Sequence, residues 1–317
     1  MINPDPLSPD CLRVLNASET TRCLPYLKLV MELARLIEDS SVQVPPRLVQ
    51  ALPDGASLFV MPALDSRIAI VKLITFTPAN AGSLRPTIQG DLMVFDALTG
   101  QRRLILDGPT VTARRTAAVS VLAAQRLAPC IQGPLLVVGA GVQGQAHLEA
   151  FAQVLNVTEF VIVSRSASSA ERLAGHAQSL GLKARVALDA NAALADCAMA
   201  VTCTPAQKIV LNAAPQQRTF VAAVGAFTPQ MAELSPDLCR HFATQGAVFV
   251  DTPDARHEAG DLLQAGLDVT RFMSLSDVVG GRHVMPTKGP VLFKSCGWAG
   301  WDLAAARTAL AHAGKNF

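Results

Sequence analysis

The run Leu135-Leu136-Val137-Val138-Gly139-Ala140-Gly141-Val142-Gln143-Gly144 decides the fold. Four apolar residues read as a short strand buried on both faces, and they lead straight into GxGxxG. Gly139 permits the tight turn, Gly141 lets a pyrophosphate approach the backbone, and Gly144 allows close helix–strand packing. Val142 and Gln143 stand where the N-terminus of the following helix faces the phosphates. Glycine-rich turns also occur by chance, so the flanks matter. A helical pattern follows over Gln143–Leu155, and a second strand, FVIVSRS, ends about twenty residues on, as a dinucleotide-binding βαβ unit requires.

The end of that second strand discriminates between cofactors. An acidic residue there would hold ribose hydroxyls and repel a 2′-phosphate. This chain places Ser164-Arg165-Ser166 instead, a guanidinium and two hydroxyls suited to a phosphate. NADPH is favoured and NADH is the weaker alternative; Arg165 as a mere solvated charge is the competing reading. Farther on, Ser168–Leu180 reads as a helix, Lys183–Val186 as a strand and Asn191–Asp196 as a helical turn. MAVTCT, TFVAAVG and AVFVD read as further strands. Thr204 and the segment Ala222–Gly225, with Val224 and Gly225, fall where carboxyl ends of parallel strands line a cofactor crevice. The predicted class is α/β, a Rossmann-type parallel sheet over 113–294.

The flanking segments read differently. Arg22–Asp39 is amphipathic and predicts one helix. Ser57–Met61, Arg67–Phe76, Gly90–Asp96 and Arg103–Leu106 are short apolar runs. Turn signals such as Pro78-Ala79-Asn80-Ala81-Gly82 separate them, predicting an antiparallel or mixed sheet. Thr112–Leu127, Ala-rich and ending before Pro129, predicts a connecting helix. Phe293–His312 predicts a final helix, preceded by the run FKSCGWAGW, that returns to this first zone. Residues 1–112 and 295–317 thus form a second, α+β domain.

Composition narrows the function classes. The 317 residues include 27 Lys or Arg and 25 Asp or Glu, a formal charge of +2, with 50% hydrophobic and 16% charged residues. That excludes a disordered chain and a charge-driven nucleic-acid binder. The longest uncharged run, Leu127–Leu148, is too broken by Gly and Pro to span a membrane, and MINPDPLSPD has no signal-peptide pattern. Seven scattered cysteines without a CxxC pair read as reduced thiols of a cytoplasmic protein. No HExxH or comparable spacing predicts a metal site.

Cations in the first zone sit in unexpected company. Lys72 interrupts the apolar strand RIAIVKLITF on the face of Ile68, Ile70 and Ile74, so it either snorkels or points into a site. Arg47 follows Pro45-Pro46, and Arg114-Arg115 begin the predicted connecting helix, where cations oppose the macrodipole. Arg47, Lys72 and Arg115 together would hold a carboxylate; singly, each also reads as a surface charge.

Motifs along most of the chain resemble those of the ornithine cyclodeaminase/μ-crystallin family. They are VKLITFTPANAG, Arg115-Thr-Ala-Ala, GAGVQG, the Val-Gly of AAVG followed by Pro229 and Glu233-Leu234, and FKSCGWAGWDLAAA. The resemblance implies a nicotinamide-binding Rossmann domain and a second domain that binds substrate and forms a homodimer. By motif, Arg47, Lys72 and Arg115 correspond to substrate-carboxylate contacts, and Thr87 to a threonine beside the nicotinamide. One departure matters. Where cyclodeaminases carry an aspartate, the run Gly225-Ala226-Phe227-Thr228-Pro229 carries Phe227, which neither accepts a proton nor pairs with an ammonium. The family's reductase branch is therefore implied. It reduces the cyclic ketimine acids 1-pyrroline-2-carboxylate and 1-piperideine-2-carboxylate to L-proline and L-pipecolate. Lys72 is the catalytic candidate, hydrogen-bonding the ring nitrogen or delivering the proton, with water the alternative proton source. An amino-acid dehydrogenase on an open-chain 2-oxo acid, such as alanine dehydrogenase, and a non-catalytic NADPH- and ligand-binding protein are the rival readings.

Overall fold

The structure, a computed structural model, describes residues 12–80, 83–205, 208–281 and 289–313; the segment 1–11, with Cys11, and Ala81-Gly82 lie outside them. The chain forms two compact units, Met1–Arg115 with Trp298–Phe317, and Thr116–Gly297.

The first unit is built on a six-stranded sheet of order β1-β6-β5-β4-β3-β2. Its strands are β1 (Arg13–Leu15), β2 (Leu48–Ala51), β3 (Ser57–Leu64), β4 (Ile68–Phe76), β5 (Ile88–Asp96) and β6 (Arg102–Asp107). β1 pairs parallel with β6 and the rest pair antiparallel, so the sheet is mixed. Alternation splits β4 cleanly: Ile68, Ile70, Lys72 and Ile74 are buried, while Leu73 is exposed. The register sets Met61 of β3 and Leu92 of β5 on either side of Lys72.

Helices Tyr26–Glu38 and Ala299–Ala313 pack on each other, and the second also packs on β3, β4 and β5. Tyr26, Leu29, Leu33, Leu36 and Trp301 fill the contact, each fully buried. The single helix predicted over Arg22–Asp39 is two, Ala17–Cys23 and Tyr26–Glu38. Asn16 and Glu19 form a capping box ahead of the first, and Pro25, which lacks an N–H, starts the second. The ion cluster of Arg307 closes this unit. Its guanidinium donates to Asp65 at 2.6 Å and Asp39 at 2.7 Å, with Glu32 at 3.4 Å.

The second unit holds an eight-stranded, wholly parallel sheet of order β13-β12-β14-β11-β10-β7-β8-β9. Its strands are β7 (Leu135–Val138), β8 (Glu159–Val163), β9 (Lys183–Val186), β10 (Met199–Thr202), β11 (Phe220–Ala223), β12 (Ala247–Val250), β13 (Met273–Ser274) and β14 (Val291–Lys294). β7, β10, β11 and β14 are buried at every position, as a sheet covered on both faces demands. The chain winds from β7 outward to β8 and β9, then returns to the other side of β7 with β10, which makes a topological switch point there. Phe293 and Lys294, predicted to open the final helical zone, belong instead to β14. That helix starts only at Ala299, because Phe293 and Lys294 are held in register between β11 and β12.

The connecting helix also starts earlier than predicted, at Gly108 and not Thr112. Pro109 is tolerated in a first turn, whose N–H groups have no helical acceptor. Arg114 and Arg115 therefore lie past that turn, and the macrodipole argument for them does not hold. Ser120 of the same helix meets His147 Nε2 at 3.0 Å, while His147 Nδ1 donates to the Gln143 carbonyl at 2.7 Å. Among the described residues no helix is long and apolar enough to cross a membrane, and no cluster of metal-ligating side chains occurs.

Two predictions follow from this packing. Arg307→Ala leaves the carboxylates of Asp65, Asp39 and Glu32 facing one another, and urea unfolding should show a loss of about 3 kcal/mol with the m-value unchanged. Burial lowers the His147 imidazole to about 4, opposed only in part by the Gln143 carbonyl. The unfolded chain thus binds the extra proton first. The neutral ring's contribution is complete above the ordinary imidazole value and is lost as pH falls from there toward 4, about 3 kcal/mol in all. Unfolding midpoints at pH 7 and pH 4.5 should lie further apart for wild type than for His147→Gln; equal separation would exclude His147 as the source.

Candidate active site

In the first unit, Lys72 enters the core because it sits on the covered face of β4, and helix Ala299–Ala313 lies over that face. The helix meets it with Asp302, placed in its first turn, where the macrodipole favours a carboxylate. Lys72 Nζ lies 2.9 Å from Asp302 Oδ1 and 2.8 Å from Oδ2, and Arg115 Nε donates to Oδ1 at 3.2 Å. Lys72 and Asp302 are 0% exposed and Arg115 is 6% exposed.

The two neighbouring arginines part company, since successive helical residues point about 100° apart. Arg114 donates to the Leu24 carbonyl and stacks 3.8 Å over the Tyr26 ring, a packing role. Arg47 is half-buried, lies over the Phe59 ring at 5.8 Å, and adds to the positive field on Lys72. Lys72 and Arg115 therefore converge on one carboxylate, with Arg47 near enough to act on Lys72. Desolvation lowers the Lys72 ammonium to about 8, with Arg115 and Arg47 acting in the same direction and Asp302 against them. Thr87 lies half-buried in this unit just before β5, its carbonyl accepting from Thr77 N at 2.8 Å.

In the second unit, the remaining predicted residues gather at the carboxyl ends of four adjacent strands. Gly139–Gly144 follow β7, Ser164–Ser166 follow β8, Thr204 follows β10, and Val224 and Gly225 follow β11. Gly139 has φ +114°, and a Cβ at Gly144 would stand 2.0 Å from the Gly139 carbonyl oxygen, so both must be glycine. Gly141 caps the helix Val142–Leu155 without a side-chain hydrogen bond, and a Cβ there would meet nothing within 4 Å. This open approach to an uncapped helix N-terminus fits a pyrophosphate. Val142 is exposed and Gln143 half-buried. Ser166 caps the next helix, and Arg165 stands exposed with no hydrogen bond or ion pair among the described residues.

Glu233 binds two of these strand ends together. Its Oε1 accepts from Thr204 N at 2.7 Å and Oγ1 at 2.9 Å; its Oε2 accepts from Thr202 Oγ1 at 2.9 Å and Gly225 N at 2.7 Å. Asp261 in turn accepts from the Glu233 and Leu234 amides and pairs with Lys294 at 2.8 Å. Burial works against the Lys294 charge, but Asp261 and Glu233 hold its ammonium above the ordinary value. Asp251 accepts from Ser295 Oγ and the Cys296 and Gly297 amides. Asp302, Glu233, Asp261, Asp251 and Lys294 were given no role by sequence reasoning. The signal available for two of them was the one that singled out Lys72, a lone charge inside an apolar run: Lys294 in VLFK and Asp302 in an alanine-rich helix.

Residues 9–314 match the family model described as ornithine cyclodeaminase/mu-crystallin family. The chain is 40% identical over 302 residues to a Delta(1)-pyrroline-2-carboxylate reductase of Burkholderia multivorans, covering 93% of this chain and 94% of the relative. It is 38% identical over 309 residues to a Delta(1)-pyrroline-2-carboxylate/Delta(1)-piperideine-2-carboxylate reductase of Azospirillum brasilense, covering 96% of each. The structure of Thermococcus litoralis Delta(1)-pyrroline-2-carboxylate reductase in complex with NADH and L-proline has the same fold. Its TM-score is 0.88 at 22% identity, over 95% of this chain and 97% of that one. With the glycine loop, the buried lysine cluster and a match across nearly its whole length, the chain belongs to the ornithine cyclodeaminase/mu-crystallin family.

Proposed function

We propose that the chain is an NAD(P)H-dependent oxidoreductase that reduces the C=N bond of cyclic ketimine acids, 1-pyrroline-2-carboxylate and 1-piperideine-2-carboxylate, to L-proline and L-pipecolate. The observation that carries this reading is the buried cluster around Lys72, in a chain 40% identical to a relative named for the pyrroline reaction.

Among the described residues, Lys72 and the terminal nitrogens of Arg115 have no partner beyond Asp302. Arg115 can grip a substrate carboxylate through both terminal nitrogens, and Arg47 adds charge from the segment before β2. Lys72 has three donors, so engagement by one carboxylate leaves protons for the substrate carboxylate and ring nitrogen. One hydride at the ring carbon and one proton at nitrogen convert C=N into CH–NH. Lys72 holds that proton, and its ammonium, lowered to about 8, gives it up more readily than an ordinary lysine would.

The hydride is the chemistry that a bound dihydronicotinamide supplies. Gly139, Gly141, Val142, Gln143 and Gly144 would hold its pyrophosphate, with Ser164, Arg165 and Ser166 at a 2′-phosphate. Thr204, Val224, Gly225 and Thr87 would stand toward the nicotinamide end. The exposed, unpaired Arg165 supports NADPH over NADH. Phe227, half-buried after β11, gives no acid for a distal ammonium, and this argues against a diamino acid substrate.

A homodimer is supported by the outer face of the six-stranded sheet. There Pro62, Val71, Met93, Ile105 and Val14 lie in one row across five strands, with Val14 65%, Leu48 58% and Leu73 42% exposed. A continuous apolar sheet face of this kind calls for a partner. Six free cysteines among the described residues support a reducing, cytoplasmic setting.

The test is NADPH oxidation at 340 nm with 1-pyrroline-2-carboxylate, beside pyruvate plus ammonia, and ornithine with NAD. Turnover of the cyclic imine is expected, with kcat/KM falling as pH rises through about 8, where Lys72 loses its proton. Turnover of only pyruvate plus ammonia would move the chain to the amino-acid dehydrogenases. Arg165→Asp should raise KM for NADPH at least about tenfold and change NADH little, the loss of a charge-assisted pair to phosphate. An unchanged preference would remove Arg165 from the cofactor site.

A further inference from the structure

We propose that Asp302 is the positioning residue of this site: its carboxylate keeps the Lys72 side chain charged and fixes both Lys72 and Arg115 in the orientation that meets substrate. The inference rests on the reductase reading for its link to turnover and on geometry and charge for the rest.

Three observations carry it. Asp302 is 0% exposed, and both its oxygens lie against Lys72 while Oδ1 also accepts from Arg115. Stability does not explain such a group, because well-packed apolar residues commonly serve a core as well as a buried ion cluster or better. The flanking strands already offer apolar neighbours, Met61 and Leu92. Second, Arg115 engages Asp302 through Nε only, which fixes the plane of the guanidinium and leaves its two terminal nitrogens pointing onward as a fork.

Third, the charges facing Lys72 from the elements around it are Asp302 of the last helix, Arg115 of helix Gly108–Leu127 and Arg47 ahead of β2. Asp302 is the only anion among them. Without it, burial and two arginines act on the ammonium with nothing to oppose them, and a neutral lysine has no charge to offer a carboxylate and no ammonium proton to deliver. Asp302 stands behind both donors and touches neither the hydride nor the transferred proton.

The experiment is a pH titration of the 15Nζ signals of the lysine-labelled full chain, with Lys72→Arg identifying the signal among seven lysines. Wild type should titrate near 8. Asp302→Asn should titrate at least about one pH unit lower, the scale of losing an adjacent opposite charge. Asp302→Glu should return most of the shift, and Asp302→Ser serves as a second neutral variant should Asn disturb folding. The alkaline limb of kcat/KM for 1-pyrroline-2-carboxylate should move with the titration, with NADPH affinity unchanged within about twofold. A Lys72 signal that titrates near 8 in both neutral variants overturns the proposal whatever the chain reduces, as does a moved signal with an unmoved limb. Absence of imine turnover in wild type would sink the reductase reading alone, because the titration needs no substrate.

Discussion

A carboxylate enters a protein interior only when its charge is met on the spot. That constraint organises both units of this chain. In the first, Asp302 meets Lys72 and Arg115, and Asp65 meets Arg307. In the second, Glu233 takes four donors from the ends of β10 and β11, Asp261 takes Lys294, and Asp251 takes three donors from the segment after β14. Each buried acid thus ties together separate segments of its own unit. Loops at strand ends are ordinarily the mobile part of an α/β sheet. Here Glu233 gives Thr204 and Gly225 fixed backbone positions without a single exposed contact.

The two units also differ in the sign of what they bury. Around Lys72 there are two arginines and one acid; at the carboxyl ends of β11, β12 and β14 there are Glu233, Asp251 and Asp261 against Lys294. Under the proposed function, a surplus of cations is what a carboxylate-bearing substrate would need, since a buried charge must be met by an opposite one. The acids of the second unit accept largely from backbone amides, and the helix N-terminus at Gly141 carries no side-chain cap.

The glycine loop was legible in the sequence because its demands are local. A φ of +114° at Gly139 and a 2.0 Å approach at Gly144 each require glycine within a few residues of a strand. Lys72 was legible because period-two alternation names a face without any knowledge of the partner. Asp302 was not, since its partner lies 230 residues away and nothing in WDLAAA states which strand the helix will cover. Two helix boundaries differ from the sequence reading. Pro25 divides what reads as one amphipathic helix, and the helix expected from Thr112 begins at Gly108, with Pro109 in its first turn. Lys294, read as part of the final helical zone, is instead a fully buried residue of β14 paired with Asp261, a partner 33 residues away in sequence that no local pattern names.

The role proposed for Lys72 sets two demands, and an acid and two arginines acting on it would meet both. Holding a carboxylate calls for a charged ammonium; passing a proton to a ring nitrogen calls for one that releases it easily. Arginines alone would satisfy the first and, through repulsion, strip the lysine of its proton. An acid alone would keep the proton too well, as the Lys294–Asp261 pair does, where the ammonium is held above its ordinary value. Burial with one acid and two arginines leaves Lys72 at about 8, charged near neutrality and still able to let go. Two fully buried lysines in one chain, each against one aspartate, thus reach opposite states because their remaining neighbours differ in sign: Arg115 and Arg47 at Lys72, Glu233 at Lys294.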